Sequence, residues 1–145
     1  MTMKLSLGPI LYYWERERVL DFYAQAAGWP VDIVYLGEAV CSKRRALRPD
    51  DWLEIAGSLA HAGKEVVLTT LALIEAESEL GALRRAVANG RFPIEANDSA
   101  ALNMLSAAGK MRFVAAPYLN VYNGETLKLL HELGALRWVL PAALS

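Results

Sequence analysis

The segment with the most chemistry in this chain is residues 37–45, which contains its single cysteine, Cys41. An apolar run over residues 33–36 stops at Gly37, and the thiol follows four residues later, just before a group of cations. A neighbouring positive charge favours the thiolate, and the thiolate is the form that binds soft metals. The sequence therefore predicts Cys41 as a metal or cofactor ligand or a nucleophile. The alternative is a small buried hydrophobic residue, a common role for a lone cysteine.

Three consecutive cations, Lys43, Arg44 and Arg45, follow the cysteine. Arginine binds carboxylates and phosphates through two parallel hydrogen bonds, so such a cluster is typical of an anion site. We therefore predict these three residues, together with Asn120, as substrate-binding residues. The alternative is an ordinary solvated basic loop.

Two further pairs of polar residues could orient a polar substrate: Glu95 with Asn97, and Asn120 with Asn123. For Asn97 and Asn123, helix capping is the favoured interpretation, because Asn is among the preferred residues at a helix N-terminus.

The two histidines, His61 and His131, fall near the predicted C-terminal ends of helices, where a cation suits the helix dipole. A cysteine nucleophile needs a base within hydrogen-bond reach, and neither histidine obviously qualifies. No HExxH metalloprotease motif or GxSxG elbow occurs in the chain.

Short apolar runs alternate with longer stretches of helical spacing, and these elements must position the residues above. The predicted helices span about residues 14–28, 49–63, 75–89 and 123–134, and a further helix begins at about residue 97 and carries Leu102 and Leu105. The predicted strands fall near residues 5–11, 33–36, 66–70, 93–95, 113–116 and 138–140.

This alternation predicts an α/β fold of parallel (βα) repeats, because the helices provide the crossovers between parallel strands. The sheet is either open and doubly wound or part of a barrel. A complete (β/α)8 barrel usually needs about 250 residues, so we expect a single domain over residues 1–145 that forms a partial TIM-like barrel of about six strands and five helices. We expect it to be the N-terminal part of a longer barrel-type protein, or to self-associate through its unpaired strand edges.

In such a fold, the chemistry lies where strands end and helices begin. This edge is predicted to collect Gly8, Pro9, residues 38–45, Thr69, Thr70, Glu95, Asn97 and residues 118–122.

Composition narrows the functional classes. The net charge of −1 argues against general nucleic-acid binding, which needs a surplus of basic residues. The single cysteine excludes an intrachain disulfide and fits a reducing compartment. With no signal-peptide pattern and no apolar run of about 20 residues, we expect a cytoplasmic protein without a membrane span.

Two segments, residues 4–9 (KLSLGP) and 37–45 (GEAVCSKRR), resemble the collagenase-like peptidase family (peptidase U32), in particular its ubiquinone-biosynthesis branch. The segment around Cys41 is the more specific of the two. Further similar segments are residues 51–54, 71–73, 78–81, 119–123 and 137–141.

The resemblance covers essentially the whole chain, and members of the family are about twice as long. It implies a barrel-like domain and a 4Fe–4S cluster held by four cysteines, of which the first falls on Cys41. The other three belong to the second half of such proteins, so we expect this stretch alone to lack the cluster.

The resemblance also implies a function: an iron–sulfur subunit of an oxygen-independent hydroxylation system in ubiquinone biosynthesis, forming a heterodimer with a sister protein of the UbiU type. Two alternatives stay open. One is a collagenase-like hydrolase with Cys41 as nucleophile, and the other is a non-catalytic half-barrel that only binds a partner.

Overall fold

The computed structural model describes residues 2–109 and 111–144; Met1, Lys110 and Ser145 lie outside the described residues. The described residues form six strands and five α-helices in strict alternation, with two short 3-10 turns. The strands are β1 (Ser6–Leu7), β2 (Ile33–Leu36), β3 (Glu65–Thr69), β4 (Ile94–Ala96), β5 (Phe113–Ala115) and β6 (Ala135–Trp138). The helices are α1 (Arg16–Ala26), α2 (Pro49–His61), α3 (Glu77–Val87), α4 (Ser99–Ala107) and α5 (Gly124–Leu133).

All six strands are parallel and follow chain order from β1 to β6 in one sheet, which curls into a half-barrel. This order confirms the predicted partial TIM-like α/β fold. Each helix returns the chain to the start of the next strand, as parallel pairing requires. The carboxyl ends of all six strands therefore meet at one edge.

The two faces of the sheet differ in how they are buried. Side chains alternate between the faces along each strand, so the same short apolar runs supply both. The convex face packs against the helices in the larger hydrophobic core, which includes Tyr23, Leu36, Leu59, Ile94, Leu105, Phe113 and Leu130. The concave face carries a smaller cluster of Ile33, Tyr35, Val67 and Val114, with Val139 packed against it.

Helix α5 begins and ends with the residue types expected at helix termini. Its N-cap is Asn123, whose side chain accepts a hydrogen bond from the Thr126 N–H at 2.8 Å. The helix ends at Gly134, which adopts φ 116°, a backbone conformation that glycine tolerates best.

The predicted capping role of Asn97 is wrong. Asp98 caps α4, since its carboxylate accepts from the Ala100 N–H at 2.7 Å. Asn97 is instead buried, and its side-chain amide donates hydrogen bonds to Thr69 and Thr70.

Strands β1 and β6 differ from their predicted positions. The chain enters β6 directly after Gly134, so this strand begins at Ala135, three residues earlier than predicted. Strand β1 covers only Ser6–Leu7 of the apolar run, because Pro9 has no N–H to donate to a sheet.

None of the helices in the described part of the chain is long and apolar enough to cross a membrane.

Candidate functional site

Cys41 lies in the loop that leaves β2 at the carboxyl edge of the sheet, and it is partly exposed. The loop turns at Gly37, which has φ 140°. A Cβ at this position would lie 2.8 Å from the Thr69 carbonyl oxygen, a distance that real side chains do not tolerate. Glycine is therefore required for the loop to cross this close to β3.

Glu38 fixes the backbone that leads into Cys41. Its Oε1 accepts hydrogen bonds from the N–H groups of Val40 at 2.8 Å and Cys41 at 3.0 Å. The same oxygen lies 3.9 Å from the Arg44 guanidinium. One carboxylate thus satisfies two backbone donors and holds a cation beside them, which sets the position of Cys41.

Neighbouring elements hold the rest of the loop. The Ala39 carbonyl accepts from the Ala72 N–H at 2.8 Å, which ties the loop to the segment after β3. The Ser42 hydroxyl donates to the Glu79 carboxylate near the start of α3, and this hydrogen bond holds the pKa of Glu79 below its usual value. The loop is therefore anchored to two neighbouring segments.

The three cations predicted to bind an anion differ in their exposure and contacts. Arg44 is half-buried, and its Nη1 donates to the Leu11 carbonyl at 2.6 Å, so its guanidinium serves the loop itself. Lys43 and Arg45, two and four residues after Cys41 in the chain, are exposed on the surface. The structure thus leaves two of the three cations facing solvent.

Asn120 lies on a different loop, after β5. It adopts the left-handed conformation with φ 53°. Within that loop, its side-chain Nδ2 donates a hydrogen bond to the Tyr118 carbonyl, and its Oδ1 accepts one from the Tyr122 hydroxyl. Across residues 2–109 and 111–144, no hydrogen bond joins Asn120 to residues 37–45.

The polar residues that follow β3 and β4 meet, as we predicted for this edge. The Thr69 hydroxyl donates to Glu95 Oε2 at 2.5 Å and accepts from Asn97 Nδ2 at 2.9 Å. The Thr70 carbonyl also accepts from Asn97 Nδ2, at 2.8 Å. All four side chains are buried. We call Thr69, Thr70, Glu95 and Asn97 the buried polar network.

Burial raises the pKa of Glu95 above its usual value, because the ionised carboxylate loses its hydration. The hydrogen bonds from Thr69 and Asn97 oppose this effect only in part. The network thus favours a carboxyl group that holds its proton more tightly than an exposed glutamate.

A second polar group, which the sequence did not predict, spans the concave face. Arg137 on β6 donates to the Tyr35 hydroxyl at 3.2 Å and to Glu65 Oε1 at 2.8 Å. Lys4 lies 3.7 Å from the other Glu65 oxygen. These residues are up to 102 positions apart in sequence, and each one looks like an ordinary strand residue, so no local pattern indicates the contact.

The histidines lie away from the thiol's immediate partners. His61 is exposed at the last residue of α2, and His131 Nδ1 lies 3.3 Å from the Ala135 carbonyl at the end of α5. Within the residues described by the structure, no histidine is hydrogen-bonded to Cys41, so no cysteine–base pair is assembled.

The residues present do not fit a complete 4Fe–4S cluster. Such a cluster is held by four cysteine thiolates, and the chain has one cysteine. In the described ranges, no three His, Cys, Asp or Glu side chains converge on a possible metal site. This chain by itself can offer one thiolate ligand.

No protein-family model matches the chain, and no solved structure matches it significantly.

Proposed function

We propose that this chain is the cluster-binding part of a UbiV-type subunit, which acts with a UbiU-type partner in oxygen-independent hydroxylation during ubiquinone biosynthesis in the cytoplasm. In this proposal Cys41 supplies one thiolate, and the three other ligands come from polypeptide outside these 145 residues. The proposal rests on the resemblance of the segment around Cys41.

The observation that supports the proposal best is the construction of the loop. Gly37 and Glu38 fix its backbone, while Cys41 stays partly exposed at the carboxyl edge of a parallel sheet. A buried structural cysteine needs no such anchoring. A metal ligand benefits from it, because pre-organised donors bind with less loss of conformational freedom.

Exposed Lys43 and Arg45 would act beside the thiolate as cations. They lower the electrostatic cost of an anionic substrate that approaches this edge.

Anaerobic reconstitution with iron and sulfide tests the ligand assignment on the native-length polypeptide that carries this sequence. We expect the wild type to develop the broad absorbance of an iron–sulfur cluster, and Cys41→Ala to lose most of it. Ser42→Ala is the matched control, because it changes the neighbouring side chain and keeps the thiol. An unchanged spectrum in Cys41→Ala would refute the assignment.

The sheet edges favour a second candidate, a half-barrel that binds a partner or a second copy of itself. Strands β1 and β6 each have a neighbour on one side only among the described strands. Leu5 beside β1 and Leu136 on β6 are 55% and 56% exposed. Unpaired edges flanked by apolar side chains favour association with another chain.

Sedimentation velocity over a range of concentrations tests this candidate. We expect the chain to self-associate, and Leu136→Lys to weaken this association. Leu73→Lys is the control, because Leu73 is equally exposed, at 60%, but lies away from both edge strands. A monomer at every concentration would contradict the proposed edge contact.

A further inference from the structure

The concave face of the half-barrel lines an open cavity of about 620 Å³. Residues of β1, β2, β4 and β6 form its walls, together with loops that follow β1, β2 and β5. The walls are mainly apolar, and a few charged side chains interrupt them. Cavities of this size with such a composition are typical of small-molecule sites, and the placement of the charges indicates what kind of molecule fits.

The charged groups gather at the amino end of the cavity, where the strands begin. Lys4 precedes β1, and Arg137 reaches from β6 to Glu65, the first residue of β3. The two Glu65 oxygens face these two cations, at 3.7 Å and 2.8 Å. Asp32, at the same end, does not line the cavity, and its carboxylate accepts from the Leu5 N–H. Two cations that share one carboxylate leave one positive charge unbalanced in the cavity.

Glu95, the other carboxyl group that lines the cavity, does not cancel this charge. Its burial raises its pKa, which favours the neutral acid. The cations remain accessible, since the side chains of Lys4 and Arg137 are 60% and 34% exposed. Arg137 donates to Tyr35 and to Glu65, and a guanidinium has more N–H donors than these two contacts use. An anion can therefore bind Arg137 without displacing either partner.

The carboxyl end of the cavity is apolar. Leu11, Tyr118 and Leu140, which follow β1, β5 and β6, line it and are 44%, 44% and 56% exposed. Ala39, two residues before Cys41, also lines the cavity, so an occupant of this end would lie beside the Cys41 loop. Apolar side chains that stay exposed around a cavity are stabilised when an apolar group covers them.

We propose that this cavity binds an elongated amphiphile with a single carboxylate, whose head group pairs with Arg137 and Lys4 and whose apolar chain packs against Ile33 and Val139 toward the carboxyl end. One carboxylate balances the unpaired positive charge, and the chain covers the exposed apolar side chains at the other end. The site adjoins the Cys41 loop through Ala39. Binding needs no metal at Cys41 and stands apart from the proposed cluster.

Three probes test the proposal on the 145-residue chain. Octanoate carries the head group and the chain, acetate carries only the head group, and 1-octanol has the same number of carbons as octanoate with a neutral head. Backbone 1H–15N shifts of Ile33 and Val139 and the Nε–H signal of Arg137 report where each probe binds. We expect saturable shifts with octanoate and about tenfold weaker binding of 1-octanol, because charge-assisted hydrogen bonds are lost. Acetate should not saturate the site at concentrations at which octanoate does, because it buries no chain.

Charge variants locate the head group. Arg137→Gln should weaken octanoate binding about tenfold and change 1-octanol binding far less. Glu65→Gln should tighten octanoate binding several-fold, because the carboxylate that competes for both cations is gone. Arg112→Gln is the control, since it removes the same charge from an exposed residue that does not line the cavity. If Arg137→Gln does not fold, Glu65→Gln and the three probes on the wild type still decide.

Equal affinity for octanoate and 1-octanol would overturn the proposal, and so would weaker octanoate binding by Glu65→Gln. Equal losses in Arg112→Gln and Arg137→Gln would mean that octanoate responds only to overall charge, which also refutes the site. Shifts centred on the groove between α3 and α4 near Met104 would place the chain of octanoate elsewhere. Ile33 and Val139 signals that follow protein concentration in place of octanoate concentration would make a second copy of the chain the occupant and would contradict the proposal.

Discussion

The Cys41 loop and the buried polar network both lie where parallel strands end, yet they are built in opposite ways. In the loop, side chains satisfy backbone groups: Glu38 bonds two N–H donors and leaves the thiol partly exposed. In the network, side chains mainly satisfy one another and the neighbouring strand, and Glu95 and Asn97 are almost fully buried.

The difference shows how one sheet edge can carry two kinds of chemistry. An anchored loop can present a partly exposed ligand to a partner or a metal. Burial in the sheet interior raises the pKa of the Glu95 carboxyl group and leaves Asn97 Oδ1 without a hydrogen-bond partner among the described residues. Four substitutions test this contrast.

Gly37→Ala should have the largest effect, because it affects the junction of both regions. The new Cβ meets the Thr69 carbonyl and also imposes strain at φ 140°, and we expect the free energy of unfolding to fall by about 3 kcal/mol. Chemical denaturation measures this loss. Gly63→Ala, at φ 85° with no atom near its Cβ, should cost only about 1 kcal/mol; equal losses would argue against the close contact.

Asn97→Ala should destabilise the protein by about 2 kcal/mol, because the buried Thr70 carbonyl loses its side-chain donor and the Thr69 hydroxyl loses one of its two side-chain hydrogen bonds. Asn123→Ala removes a helix cap at the surface and should cost about 1 kcal/mol. Thermal and urea unfolding of both variants compares the two roles. If Asn123→Ala lowers the free energy of unfolding more than Asn97→Ala does, the buried polar network does not stabilise these strand ends.

Glu95→Gln should change how stability depends on pH. The folded-state pKa of Glu95 is raised, so its stabilising contribution is complete below the unfolded pKa and is lost as pH rises through the folded pKa. The variant should match the wild type near pH 4 and become more stable at higher pH, by about 1.4 kcal/mol for each unit of pKa elevation. Unfolding curves from pH 4 to 9 measure the difference; a constant offset would contradict the raised pKa.

Glu38→Ala should have the smallest effect on stability, about 1 kcal/mol, and a larger effect on the loop. Without the carboxylate, the backbone around Cys41 loses two hydrogen bonds, and we expect the thiol to react several-fold faster with a disulfide reagent. Glu77→Ala is the control, because Glu77 forms a surface ion pair with Arg84 and no other among the residues that the structure describes. Unchanged thiol kinetics in Glu38→Ala would show that Glu38 does not hold the loop.

The fold was predictable from the sequence because short apolar strands and amphipathic helices alternate so regularly. The buried run Ile33–Leu36 and the helix start at Pro49 have strong local signals, and both appear as predicted. Strand β6 was misplaced because its residues, Ala135–Trp138, mix an arginine with apolar residues and follow the helix end without a loop.

The members of the buried polar network were predictable from the sequence, whereas the Arg137 contacts across the concave face were not. Parallel topology brings Thr69 and Glu95 to one edge whatever their exact rotamers are, so their meeting followed from strand order alone. Arg137 reaches Tyr35 only because the sheet curls, and curvature is not encoded in any short segment. Asn97 looked like a cap because Asn commonly caps helices, and the neighbouring Asp98 took that position.

A Mössbauer spectrum of the native-length polypeptide reconstituted with iron-57 tests whether Cys41 is an anchored metal ligand. If Cys41 is bound to iron, Cys41→Ser alters the parameters of one iron site out of the four in the proposed cluster and leaves the other three unchanged. Identical spectra for the wild type and Cys41→Ser would contradict it, because the thiol would then not be bound to iron.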